Sequence, residues 1–234
     1  MSHREDDLSF MPQQFSGRVR LFPLPNLVLF PHVVQPLHIF EPRYVELFEA
    51  SLADDRLIAM ALLSRGWEND YEGRPPIEPV ACLGRVLSWQ AQPDSRYNVL
   101  LLGLRRVRIV RELPPEGVFR EAEVELLEDE YPTGSGDRKE LQRRLITTFE
   151  GMLPRITDAQ DLFDQLSMAG VSLGTLTDVI SYAIDANTQS KQALLAEQNV
   201  DRRARMLLAH LKRKLSDVAE PCVAAGFPPD FSTN

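Results

Sequence analysis

Residues 22–44 form an apolar run, FPLPNLVLFPHVVQPLHIFEPRY, that is interrupted by five prolines. Proline has no backbone N–H to donate to a sheet, and its ring clashes with the preceding turn of a helix, so this run can be neither a central strand nor a long helix. We predict that the prolines bend a β layer into a closed shape, with Pro31 and Pro36 restricted to strand edges or bulges. Pro42 suits the first position of a helix.

The composition limits the classes of protein to which the chain can belong. Its 234 residues, 44% of them hydrophobic, can form one large domain or two modest domains with their own cores. The formal net charge of −8 argues against a general polyanion binder. Cys82 and Cys222 form no CxxC pair, which fits a reduced compartment. The polar start, MSHREDDLSF, and the short apolar runs predict a cytoplasmic protein without a membrane partner.

The first half of the chain has the pattern of β structure. We predict strands at 18–22, 57–63, 80–91, 97–102, 106–113 and in a segment that ends at Leu127. Gly84 and Gly103 interrupt two of these strands, where a bulge or a sharp bend would fit. In the last strand, apolar residues alternate with Glu121, Glu123 and Glu125. One face of that strand is therefore expected in the core and the other in water.

The second half has the pattern of helices. Besides the helix that begins at Pro42, we predict helices at 137–150, 158–169, 173–185, 189–198 and 200–215. The stretch PTGSG has the composition of a linker. The resulting domain organisation is a flexible N-terminal segment (1–17), a β domain (18–131), a linker (132–136), an α-helical domain (137–216) and an irregular C-terminal tail (217–234).

The sequence contains no recognisable catalytic motif. It lacks GxxxxGK[ST], GxSxG, HExxH and GxGxxG. His32, His38 and Glu41 are the nearest approach to a metal-ligand set, but an extended chain separates the two histidines by about 20 Å. Zinc ligands must all lie about 2 Å from the ion. We therefore predict no metal site, no cofactor and no catalytic residue.

Arginines near one predicted strand raise the possibility of nucleic-acid binding. The residues concerned are Arg105, Arg106, Arg108 and Arg111. Arginines in such a cluster can contact phosphates. The glutamates of the next predicted strand offer a simpler use, because opposite charges on adjacent strands pair with each other. We therefore expect cross-strand ion pairs and regard nucleic acid as an unfavoured partner.

Trp67 lies in SRGWENDYEGRPP, whose polar, Gly- and Pro-rich composition predicts a surface loop. A large exposed aromatic side chain often marks a contact site. The alternative is that Trp67 packs back onto the barrel as part of a lid, and the sequence leaves both open. Trp89 follows a strand pattern and is expected in the core or at its rim.

Four segments of the chain resemble the Lon-type substrate-binding domain. They are FPLPN, LFPHVVQPLHIFEPRY, CLGRV and YNVLLLGLRRVRIVREL, and together with the helical half the resemblance covers roughly residues 18–215. This domain forms the N-terminal part of Lon proteases, recurs in cereblon and also occurs as stand-alone bacterial proteins. The resemblance implies an α+β fold, with a PUA-like twisted β pseudo-barrel followed by an α-helical bundle. It is closest to the stand-alone group, because the ATPase and Ser-Lys protease modules are missing.

The resemblance implies a non-catalytic module that binds proteins or peptides with exposed apolar segments. The family motif makes Phe30, Pro31, Phe40 and Tyr44 candidate peptide contacts, and its loop context adds Trp67. Within the same motif, Glu41 and Arg43 are expected to have a structural role, in which they link a strand to the helix. An apolar groove or an open sheet edge would be the binding surface. The alternatives are an RNA-binding module, since PUA-like barrels often bind RNA, and an enzyme with an unrecognised small-molecule pocket.

Overall fold

The computed structural model describes residues 10–71, 73–134, 136–152 and 171–219. Its strands are β1 (Arg18–Leu24), β2 (Val34–Ile39), β3 (Leu57–Leu62), β4 (Val80–Gln92), β5 (Arg96–Glu112) and β6 (Arg120–Leu127). The α-helices in these ranges are α1 (Pro42–Leu52), α2 (Arg138–Glu150), α3 (Leu173–Ala183), α4 (Thr188–Ala196) and α5 (Val200–Ala219), and short 3₁₀ helices span Pro12–Gln14 and Trp67–Asp70. The helix predicted at 158–169 and the end of the chain after 219 lie outside the described residues.

The strands form a mixed sheet that closes on itself. The order is β2-β5-β4-β3-β1-β6, and β6 also pairs with β5, so five strands make a ring and β2 lies outside it. Closure is possible because β5 is 17 residues long: its first part pairs with β2 and its second part with β6. The β1–β3 pair is parallel and the other pairs are antiparallel. The predicted α+β fold, a β pseudo-barrel followed by helices, is confirmed.

The proline-rich run is attached to β5 at Gly103. The His32 N–H donates to the Gly103 carbonyl, and the Gly103 N–H donates to the Val33 carbonyl, both at 2.8 Å. A Cβ atom at Gly103 would lie 2.0 Å from the Phe30 carbonyl oxygen, so only glycine allows this approach. The register of β4 against β5 shifts at Gly84, which confirms the predicted bulge.

The apolar residues form two clusters, one on each side of the sheet. The inner cluster contains Val19, Leu21, Leu57, Ala59, Ala61, Ala81, Leu83, Val107, Ala122 and Val124, all from the strands of the ring. The outer cluster joins other strand residues to the helices. Tyr44, Leu47 and Phe48 bring α1 into this outer cluster, and Leu207 and Leu211 bring α5 into it. The helices are therefore held against the outside of the barrel.

The arginines of β5 are used in two ways. Arg108 and Arg111 pair with Glu125 and Glu123 on the neighbouring strand, which confirms the predicted cross-strand ion pairs. For Arg106 this prediction is wrong, because its side chain is only 3% exposed. Arg106 projects from the same side of β5 as Arg108, two residues further along, but there the helices that pack on the barrel cover it.

A buried ionic cluster links β5 to the helices. Arg106 forms a two-point ion pair with Asp178 of α3, and its Nε donates to the Leu195 carbonyl of α4 at 2.8 Å. Arg203 of α5 is also buried and donates to both carboxylate oxygens of Asp129, at 2.9 and 2.8 Å. Asp178 and Arg203 approach within 3.5 Å. This cluster fixes where the helices sit on the barrel.

Candidate functional site

The five candidate peptide contacts differ in exposure. Phe30 and Pro31 are buried, because the run that contains them docks on β5. Tyr44 is also buried. Phe40 follows β2 and is 59% exposed, and Trp67 is half-buried. In this conformation, Phe40 and Trp67 are therefore the members of the set that offer side-chain area to a partner.

Tyr44 connects α1 to β1. Its hydroxyl donates to the Pro23 carbonyl of β1 at 2.8 Å, and its ring stacks on Phe22 with 4.2 Å between the centroids. Burial raises the pKa of Tyr44, because the phenolate would be poorly solvated there. The hydroxyl therefore stays protonated as a structural donor.

Glu41 and Arg43 connect α1 to the loop that follows β3. The Arg43 guanidinium donates to Glu41 Oε2 at 2.9 Å and to the Tyr71 carbonyl at 3.0 Å. The Tyr71 hydroxyl in turn donates to Glu41 Oε1 at 2.8 Å. Burial, together with the hydrogen bond to Glu41, raises the pKa of Tyr71. Trp67 packs edge-on against Tyr71, with 5.4 Å between the ring centroids.

An exposed apolar surface lies where β2 and β5 pair outside the ring. We call it the outer face and define it as Val34, Pro36, Phe40 and Leu100. Pro36 pairs directly with Leu100, so both side chains project from the same side of the sheet, and Val34 shares their alternation. Val34 is 42% exposed and Leu100 is 41% exposed. Three large apolar side chains and a proline are thus exposed along the β2–β5 pair and just beyond its end.

A groove of about 480 Å³ runs along these strands and reaches β4. Its lining includes Pro36 and Leu100 from the outer face, and also Trp89. Trp89 is 40% exposed and contacts Phe48 of α1 edge-on, with 6.3 Å between the centroids. Trp89 is therefore a rim residue, one of the two positions expected for it.

Sequence reasoning missed Val34 and Leu100. Both lie in runs of apolar letters that resemble core, and the strand alternation alone does not say which side of the sheet helices will cover. A signal was present at Pro36, because a proline inside a strand places that strand at a sheet edge. The structure confirms this, since β2 is the end strand of the sheet order.

Among the described residues, no group of three or more His, Cys, Asp or Glu side chains could hold a metal ion. His38 Nδ1 instead lies 2.8 Å from the Asn98 side-chain oxygen, on the strand that pairs with β2. Within the same residues, no helix has the length and apolar character needed to cross a bilayer.

Comparison with known proteins identifies the family. Residues 18–213 match the family described as the ATP-dependent protease La (LON) substrate-binding domain. The chain belongs to this family. The N-terminal domain of Lon protease from the Mycobacterium avium complex has the same fold, with a TM-score of 0.67 and 18% identity over 83% of this chain and 98% of that one. A Lon N-terminal domain protein from Xanthomonas campestris gives a TM-score of 0.60, with 23% identity over 82% and 97% of the two chains.

Curated relatives of this LON family member are much longer proteins. Lon protease of Heliobacterium modesticaldum is 28% identical over 196 residues, which are 83% of this chain and 24% of that protein. Lon protease 2 of Myxococcus xanthus is 25% identical over 83% of this chain and 23% of that protein. The chain thus spans about a quarter of the length of these relatives, and its matched region is the substrate-binding domain.

Proposed function

We propose that this LON-family chain binds protein segments that expose apolar side chains, that the outer face makes the contact, and that the chain itself catalyses no reaction. The observation that carries the proposal is the exposure of Val34, Phe40 and Leu100, each at least 41% exposed, along the β2–β5 pair, where Leu100 also lines a groove of about 480 Å³. Exposed apolar area that is contiguous and flanked by polar residues is typical of a protein-binding surface. Membership of a substrate-binding domain family supports the same function.

The position of the outer face at the end of the sheet favours contact through side chains. No further strand of the described chain pairs with β2 on its open side. Proline within a sheet lies on edge strands with its nitrogen towards solvent, so Pro36 removes one donor from the open edge. A partner that adds as a strand would lose a hydrogen bond there. We therefore expect apolar side chains of an extended segment to fill the groove.

The ion pairs on β5 argue against RNA as the partner. Arg108 and Arg111 are paired with glutamates, Arg105 lies 3.3 Å from Glu128, and Arg106 is buried. Phosphate groups would have to displace these carboxylates, which repel the nucleic acid backbone.

The test measures the fluorescence anisotropy of a labelled, unstructured polypeptide rich in Leu and Phe as the protein is added. The affinity of the Leu100→Ser variant is compared with that of the parent chain. Full burial of a leucine side chain is worth roughly 1.5–3 kcal/mol. Because Leu100 is 41% exposed, contact with a partner can contribute roughly 0.6–1.2 kcal/mol, so the substitution should weaken binding about three- to eightfold. Phe40→Ser should have a larger effect, because Phe40 exposes more area.

Val110→Ser is the matched control, because Val110 lies on the same strand, is 52% exposed and is absent from the groove. Equal weakening by Leu100→Ser and Val110→Ser would contradict a localised surface. Binding to a structured RNA alone, with a steep loss at moderate salt, would contradict the proposed partner class. Trp67→Ala tests whether the exposed part of that side chain also contributes, as the loop context predicts.

A further inference from the structure

A second cavity lies in the structure, away from the outer face. Its volume is about 220 Å³, and it shares no residue with the outer face. The loop after β3, the start of α1 and the turn between β5 and β6 surround it, with Leu21 and Pro23 of β1 as part of its lining. Ligand sites for drug-sized molecules are usually larger, at about 300–1,000 Å³. The cavity therefore suits a single side chain or a small acid.

Apolar side chains line the cavity, and the charged side chains beside them are arginines. Apolar side chains that line the cavity include Leu63, Pro75, Pro115, Val118 and Phe119. Among the described residues, its charged lining side chains are those of Arg43, Arg74 and Arg120, with no carboxylate beside them. A ligand with an apolar body and a negative charge would complement this lining.

Two of the three arginines already have carboxylate partners. Arg43 is paired with Glu41. Arg120 donates to both carboxylate oxygens of Glu112, at 2.9 and 2.6 Å, and to the Pro75 carbonyl at 2.9 Å. Arg74, by contrast, is exposed and has no hydrogen bond or ion pair with any residue that the structure describes. One guanidinium at the cavity is thus left with its fork of donors available for a planar carboxylate.

We propose that this cavity binds a carboxylate that carries an apolar body, with Arg74 as the carboxylate partner and the proline- and phenylalanine-lined wall as the apolar contact. The C-terminal residue of a polypeptide and a free apolar acid share this chemistry. The site is independent of the outer face, so each can fail without the other.

The experiment uses two fluorescein-labelled peptides of the sequence Gly-Ser-Gly-Ser-Leu-Phe. One has a free C-terminal carboxylate and the other is amidated. The free acid 4-phenylbutanoate serves as an unlabelled third probe. The free-acid peptide should bind the full chain about tenfold more tightly than the amide, the size expected for a hydrogen bond between charged groups. Arg74→Gln should remove this preference, and Arg74→Lys should retain part of it, because lysine keeps the charge and loses the fork.

Arg65→Gln is the matched control, because Arg65 is an exposed arginine of the same loop that does not line the cavity. It should leave the preference unchanged, as should Leu100→Ser on the outer face. Direct binding of 4-phenylbutanoate in isothermal titration calorimetry, with no binding of either peptide, would identify a free acid as the ligand. Equal binding of the acid and amide peptides, an unchanged preference in Arg74→Gln, or no binding of any of the three probes would overturn the proposal.

Discussion

The buried pair of Arg106 and Asp178 should be one of the strongest single determinants of stability in this protein. The two side chains are 3% and 1% exposed, so removal of the Asp178 charge leaves the buried Arg106 guanidinium, among the described residues, with only the longer 3.6 Å ion pair to Asp129. Asp178→Asn keeps the shape of the side chain and removes its charge. Breaking a buried pair in this way costs about 3–5 kcal/mol.

This loss is large compared with the total stability of about 5–15 kcal/mol that is usual for a folded protein. In a chain of 150–250 residues, 1 kcal/mol shifts the midpoint of thermal unfolding by about 2–4 °C, so Asp178→Asn should lower it by about 6–20 °C. Circular dichroism at 222 nm would measure the transition, and urea unfolding would give the free energy.

A matched control is Arg108→Ala. Arg108 and Glu125 are 50% and 62% exposed, and an exposed ion pair contributes about 0–1 kcal/mol, so this variant should unfold within about 4 °C of the parent. The double variant Arg106→Met with Asp178→Leu should recover much of the loss, because it leaves no unpaired charge. A midpoint for Asp178→Asn no lower than that of Arg108→Ala would refute the reasoning.

Three further predictions concern single contacts. Gly103→Ala should lower the free energy of unfolding by about 1–3 kcal/mol or more, because the added methyl group meets a backbone carbonyl. Gly117→Ala is the control, because no atom lies within 4 Å of its new Cβ, and it should change the free energy of urea unfolding little. Tyr44→Phe should cost roughly 1 kcal/mol in the same assay, since it removes one buried hydrogen bond. Burial lowers the pKa of His210 in the folded chain, so the unfolded chain binds the proton more readily and stability falls as the pH drops through the ordinary value of 6.5. The free energy of unfolding should differ less between pH 7.5 and pH 5.5 in His210→Gln than in the parent chain. An unchanged difference would contradict this assignment.

Much of the local structure follows from the sequence, because helix and strand periods and the special roles of proline and glycine are properties of short segments. The helix at Pro42, the edge position of Pro36 and the bulge at Gly84 are all confirmed. Each depends on a missing donor, a preset backbone angle or a missing Cβ atom, which act within a few residues.

The candidate site depended on tertiary structure, because exposure depends on which distant segment covers a residue. Phe30 and Phe40 belong to the same apolar run, yet only Phe30 lies under β5, through the contact at Gly103. Arg106 and Arg108 project from the same side of β5, and only the packing of α3 over Arg106 makes it a buried ion-pair residue. Sequence determined the elements and their edges here, whereas the closing of the ring by β5 and β6 and the packing of the helices decided which side chains face a partner.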